Sequence, residues 1–242
     1  MQAVREGAIT TIVAMACAGL LGITAVAAQG EISEPKGARP AQVVPLSPDA
    51  LYDGWRASQI LGDRVVSRQG DTTGIVRNIE LGESGRIQAL VVETVRSPDV
   101  PEFVYRVPWG KVRKDEFPDK VVAMRPPGSF KGFELSPPDR SEENPPKDFP
   151  VSRVIGDYAR LETGLAYGHV SDVVFNSEGR MIAVLVVRDH ALGGGTFAFG
   201  FPGRIGHWKP AWSYYGLPYV TTKQAEAAAI RVDPKLFRRD GA

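Results

Sequence analysis

One stretch of this chain occurs twice, and that duplication constrains the fold more than any other feature. Ser58 to Val92 and Ser152 to Val186 align without a gap at a constant offset of 94 residues (152 − 58). Ser58, Gly62, Asp63, Gly70, Gly74, Val76, Gly85, Arg86, Ala89 and Val92 meet identical residues at Ser152, Gly156, Asp157, Gly164, Gly168, Val170, Gly179, Arg180, Ala183 and Val186. Ile60 and Val154, Leu61 and Ile155, Asn78 and Asp172, and Ile87 and Met181 exchange like for like. A period this long indicates a duplicated domain, because solenoid repeats are shorter.

The texture between the identities is that of strands. Glycine supplies positive φ at sharp turns, so the repeated glycines read as turn positions. Short runs rich in Val, Ile and Leu lie between them, which suits β-structure. Gly74 to Leu81 and Arg86 to Glu93 flank Gly82-Glu83-Ser84-Gly85, the spacing of a hairpin with a four-residue loop. The second copy repeats it around Asn176-Ser177-Glu178-Gly179. Met181 to Val187 is apolar throughout, which predicts a strand covered on both faces, since a half-exposed strand alternates.

The order of these features resembles a known family. A short helix, Ile60-Leu61-Gly62-Asp63, a strand, two glycines four apart, a hairpin with Gly85-Arg86 or Gly179-Arg180, an apolar strand and then Val107-Pro108-Trp109 is similar to the PRC-barrel domain. The resemblance covers roughly residues 55–126 and 150–233. The family's second-strand Asp is Asp172 in the second copy but Asn78 in the first, and the Val-Pro-Trp counterpart reads as Leu217-Pro218-Tyr219. The resemblance implies an all-β fold of two tandem small β-barrels with short helices only. It also implies an interaction and assembly module, not a catalyst.

The expected organisation follows. Residues 1–28 read as a signal peptide: Arg5, an uncharged apolar run from Ala8, and the small-residue close Ala25-Val26-Ala27-Ala28. The alternatives are an uncleaved N-terminal membrane anchor, since about 20 apolar residues span a bilayer, and a lipid-modified Cys17. Export predicts a periplasmic or secreted protein whose mature chain lacks cysteine, because Cys17 is the only one. Residues 29–51 form a Pro-containing linker, 52–126 the first barrel, 127–148 a Pro-rich linker and 149–234 the second barrel. A Gly/aromatic insertion at 188–216 interrupts the second barrel, and 235–242 is a polar tail.

Charge and motif exclude several function classes. The net charge is +1, and no block of like charge makes a stripe for nucleic acid. The loop from His190 to Gly195 has no nucleophile elbow to serve, and no Gly-Lys-Ser/Thr follows its glycines. His169, His190 and His207 have no local ligand spacing. The repeated Gly62-Asp63 and Gly156-Asp157 read as turns fixed by the Asp side chain. No catalytic residue, metal or cofactor is therefore expected. The reading from a different class is a periplasmic enzyme, or a metal- or small-ligand-binding protein, using His190 and His207.

The aromatic segment has two readings: a cap on the barrel core, or a contact for a partner protein or membrane surface. Trp208, Trp212, Tyr214 and Tyr215, with Arg204 and Lys209 beside them, are the candidate partner-binding residues. Trp, Tyr and Arg are enriched at interfaces, where they give large contact area on few rotatable bonds.

Overall fold

The computed structural model describes residues 45–94, 103–123, 148–202 and 213–237. All belong to one compact unit, residues 39–242. The chain is mostly β-structure, with three short α-helices among the described residues: α1 (Pro48–Tyr52), α2 (Ala57–Ile60) and α3 (Thr222–Ala228).

Each copy builds the same five-stranded array. In the first, β2 (Arg64–Val66), β3 (Thr72–Gly82), β4 (Ile87–Glu93), β5 (Val104–Pro108) and β6 (Val121–Val122) lie in the order β5-β4-β3-β2-β6. In the second, β8 (Tyr158–Arg160), β9 (Ala166–Phe175), β10 (Met181–Arg188), β11 (Thr196–Gly200) and β12 (Tyr214–Gly216) lie in the order β12-β8-β9-β10-β11, and β13 (Ile230–Arg231) adds to β11. The last strand of each array pairs in parallel with the first, β6 on β2 and β12 on β8. Among the described residues neither sheet closes into a barrel.

The duplication extends to the irregularities. Register shifts leave Thr73, Arg77 and Gln88 unpaired in the first copy and Tyr167, Ser171 and Ile182 in the second, each at the same offset of 94 (167 − 73). Bulges bend and twist a strand and re-aim its side chains. Gly74 and Gly168 are not turn residues. They lie within β3 and β9, where a Cβ would come within 2.5 Å of the Glu93 carbonyl oxygen and 2.0 Å of that of Val187. The repeated glycine there permits close strand approach.

The apparent insertion at 188–216 is not one. Leu90 pairs with Val107, and its equivalent Val184 pairs with Phe199, so β11 is the structural counterpart of β5 at an offset of 92 (199 − 107). The Val-Pro-Trp counterpart therefore falls at Phe199-Gly200-Phe201, not at Leu217-Pro218-Tyr219. The connection before β11 is shorter by two residues than the one before β5, and that slip hides the correspondence in sequence.

The copies exchange their leading segments. β1 (Trp55–Arg56) pairs antiparallel with β9, placing Trp55 opposite Phe175. β7 (Asp148–Pro150) pairs with β3, placing Phe149 opposite Leu81. The hairpin ends also bond to each other: the Ile87 amide donates to the Gly179 carbonyl and the Met181 amide to the Gly85 carbonyl, both at 2.9 Å. Gly179 and Gly85 sit close under Trp109 and Phe201, with φ of +75° and +71°. A side chain at either would strike the ring from the other copy. Trp55 stacks on Phe175 at 4.7 Å and meets Phe117 edge-on at the same distance. The Trp109 indole N–H donates to the Glu178 carbonyl at 3.2 Å. Buried side chains of both copies consequently form one continuous cluster, where two separate barrel cores were expected.

Polar groups complete the junction. Ser58, leading the first copy, donates its amide (3.2 Å) and its hydroxyl (2.5 Å) to the two carboxylate oxygens of Asp172. At the equivalent positions Asn78 Nδ2 donates to the Ser152 hydroxyl at 2.7 Å, and the Ser152 amide donates to Asn78 Oδ1 at 3.3 Å. The Ser58/Ser152 identity and the Asn78/Asp172 exchange are thus two halves of one reciprocal contact. Asp172 is buried, and burial pushes its carboxyl up against the opposing pull of Ser58, the Val173 amide and Arg56.

The two sheets differ on their outer faces. In the first, Glu80 and Arg106 pair across that face, and Asp148 adds a longer contact at 3.7 Å. In the second, the equivalents are apolar: Val174, Ala183, Leu185 and Ala198 pack beneath Leu51 of α1 and Phe237 near the C-terminal end. Tyr52 meets the Phe237 ring edge-on at 5.1 Å, and its hydroxyl accepts from the Asp233 amide. This cover is why β10 is apolar along its length.

Two outcomes are expected in urea unfolding. Leu51→Ala uncovers the second sheet's outer face and costs about 2–5 kcal/mol. Asp172→Asn reproduces the first copy's amide. The raised folded-state pKa of Asp172 means its contribution favours the fold at low pH and declines as pH rises through that value. The variant therefore gains stability relative to the parent as pH rises above about 4, the ordinary Asp value, measured as the difference in unfolding midpoint along a pH series.

Candidate functional site

The aromatic segment divides into a buried part and an exposed part. Phe199, Phe201 and Tyr215 are core residues, with Tyr215 only 4% exposed. Burial raises the Tyr215 hydroxyl well above its ordinary pKa, with Tyr219 adding to the effect. Phe199 meets Tyr167 edge-on at 5.6 Å and Tyr219 at 5.8 Å, which fills the interior of the second copy with rings. Of the six candidate contact residues, Tyr215 is thus a core anchor. Tyr214 is half-buried on β12, and Arg204, Trp208, Lys209 and Trp212 lie outside the described residues.

What the fold brings beside Tyr214 was not foreseen. β12 pairs in parallel with β8, setting Tyr214 opposite Tyr158 and Tyr215 opposite Ala159. Strand alternation sends Tyr215 and Ala159 inward and keeps Tyr158, Arg160 and Tyr214 on the outer side. Tyr158 is 57% exposed, among the most exposed large apolar side chains described. The Arg160 guanidinium carbon lies 5.9 Å from both tyrosine ring centres, within cation–π reach, and its Nη1 donates to the Gly164 carbonyl at 3.0 Å. The rings and the guanidinium make a small amphipathic patch at the sheet edge, joined directly to the chain carrying Trp208 and Trp212. The sequence held one signal for it: the repeat aligns Tyr158 with the charged, exposed Arg64.

The glycine loop is held in place, not free. Arg188 donates from Nε to the Gly194 carbonyl at 3.0 Å, pairs with Glu226 of α3, and lies 4.5 Å over the Phe197 ring. Gly193, Gly194 and Gly195 all adopt positive φ, and the Arg188 amide donates to the Gly195 carbonyl. α3 is fixed by a reciprocal cap, in which Thr221 accepts from the Gln224 amide and Gln224 accepts from that of Thr221. The loop is a structural clamp between β10 and α3.

His169 and His190 are exposed, and His207 lies outside the described residues. Among the described residues no group of three His, Cys, Asp or Glu is placed to hold a metal ion. The Lys114 ammonium lies 2.9 Å over the Trp109 ring and donates to the Trp109 carbonyl at 2.9 Å. Burial against the junction pulls it down to about 7. The ring face and the carbonyl favour the charged form, and the side chain keeps an exposed edge, so we read it as a cation packed on the junction. No helix among the described residues is long and apolar enough to cross a membrane, and residues 1–28 lie outside that range. Comparison with protein-family models and with curated proteins finds no match, so the site stands on its geometry alone.

Proposed function

We propose that this chain is a non-catalytic interaction module of the cell envelope, exported by residues 1–28, that holds a partner protein or an envelope surface through the edge of its second copy. The resemblance in motif order to the PRC-barrel domain, a binding and assembly module, supports this reading, as do the matching five-stranded arrays. The contact set is Tyr158, Arg160 and Tyr214, with Arg204, Trp208, Lys209 and Trp212 on the adjoining chain. The observation that carries the proposal is the exposed Tyr158 ring, 57% accessible beside Arg160 on a sheet whose other aromatic side chains are largely withdrawn into the core. A ring left in water on a rigid strand loses little conformational freedom on binding and contributes large contact area.

The test is an alanine series in the full chain, read by thermal stability and by recovery of partners from envelope extract. Tyr158→Ala is expected to change stability by less than about 1 kcal/mol, as surface substitutions do, while partner recovery falls in it and in Tyr214→Ala. Tyr215→Ala is expected to cost about 3–5 kcal/mol, because it empties a core site. Unchanged recovery in Tyr158→Ala, Tyr214→Ala and Trp212→Ala together would defeat the proposal.

A further inference from the structure

The repeated arginines, Arg86 and Arg180, are identities that neither the fold nor the proposed contact uses. They face each other across an isolated antiparallel bridge at the junction of the two copies. The flanking bonds run from the Ile87 amide to the Gly179 carbonyl and from the Met181 amide to the Gly85 carbonyl. Arg86 and Arg180 therefore form a non-hydrogen-bonded pair, the kind whose side chains stand closest, on one face of the ribbon. Like charges placed directly opposite each other destabilise such a pair. Local neutralisation is slight. Glu178 Oε2 lies 4.0 Å from Arg86 Nη2, at the outer limit of an ion pair, on a side chain 69% exposed. Among the described residues no carboxylate lies within ion-pair distance of the Arg180 guanidinium. The backbone of each arginine is occupied within its own hairpin, since Arg86 O accepts from the Gly82 amide and Arg180 O from that of Asn176.

We infer that this arginine pair is a binding site for a phosphate group. Each guanidinium presents donors in a fixed fork that matches two oxygens of an oxyanion. The equivalence of the two copies gives the pair a local two-fold axis. A tetrahedral phosphate has such an axis, which exchanges its oxygens in two pairs, so one phosphate satisfies both forks at once. A single carboxylate satisfies only one. A dianionic phosphate also offsets the repulsion that the bare pair carries. The bearer is either a free phosphate or a phosphomonoester lipid headgroup such as that of phosphatidic acid, and both present a doubly charged oxyanion with oxygens for the two forks.

The test uses the full chain with Arg86→Gln and Arg180→Gln. Both side chains are exposed, so both variants are expected to keep the parent circular dichroism spectrum. In dilute phosphate-free buffer each variant is expected to unfold at a higher temperature than the parent, because the like-charge contact is gone. Inorganic phosphate, against chloride at equal ionic strength, is expected to stabilise the parent and reverse that order. Each substitution is expected to weaken phosphate binding about tenfold to a hundredfold. Sedimentation with phosphatidic acid vesicles, but not phosphatidylcholine vesicles, abolished in both variants and without a response to inorganic phosphate, assigns the same site to a lipid headgroup. Variants that respond to both probes as the parent does, or a parent that responds to neither, overturn the inference.

Discussion

Everything in this structure depends on an exchange: each copy gives its leading segment to the other. β1 adds to β9 and β7 adds to β3, so Trp55 and Phe149 fill equivalent places in the partner copy's core. The exchanged strands are two and three residues long, too short to hold by pairing alone. They hold because each carries a large ring into an apolar site and is followed by a serine that bonds a side chain on the receiving strand. Removing water from those rings stabilises the junction. The hydrogen bonds set its register, because Ser58 must meet Asp172 and Ser152 must meet Asn78.

The same exchange explains the inequality between the copies. The second carries Val174, Ala183, Leu185 and Ala198 where the first carries Glu80, Ala89, Val91 and Arg106. That apolar face is covered by α1 and Phe237, so the segments before and after the duplicated region meet there. On the first copy's equivalent face Glu80 and Arg106 form a partly exposed ion pair, which contributes little to stability. Among the described residues the edge strand of the second sheet, β12, carries the tyrosine and arginine patch with its neighbour β8.

Much of this was legible in the sequence. The gapless repeat gave both hairpins, and the cover on both faces of β10 followed from the apolar run Met181 to Val187. The exchange was not legible, because strands of two or three residues carry no period, and nothing in Trp55 or Phe149 says whose core each enters. The insertion was misread for a related reason. Identity fades after Val186, and the two-residue shortening before β11 breaks the constant offset, so a pair of strands looked like a loop. Ser58, Asn78 and Asp172 were visible as repeated positions, but their contact is between copies and only the fold shows it. Of the proposed contact residues, Tyr214 stood among the sequence candidates and Tyr158 did not, since a parallel pairing across more than fifty residues leaves no local trace.

The two copies form one interlocked unit, and residue-resolved hydrogen exchange across a urea series is the test of it. The Ile87 and Met181 amides bond only between copies, whereas the Val76 and Val170 amides bond within them. All four are expected to open together, at the free energy of global unfolding, in a single transition. Ile87 and Met181 exchanging freely while Val76 and Val170 stay protected, or the two copies opening at separate urea concentrations, would contradict it.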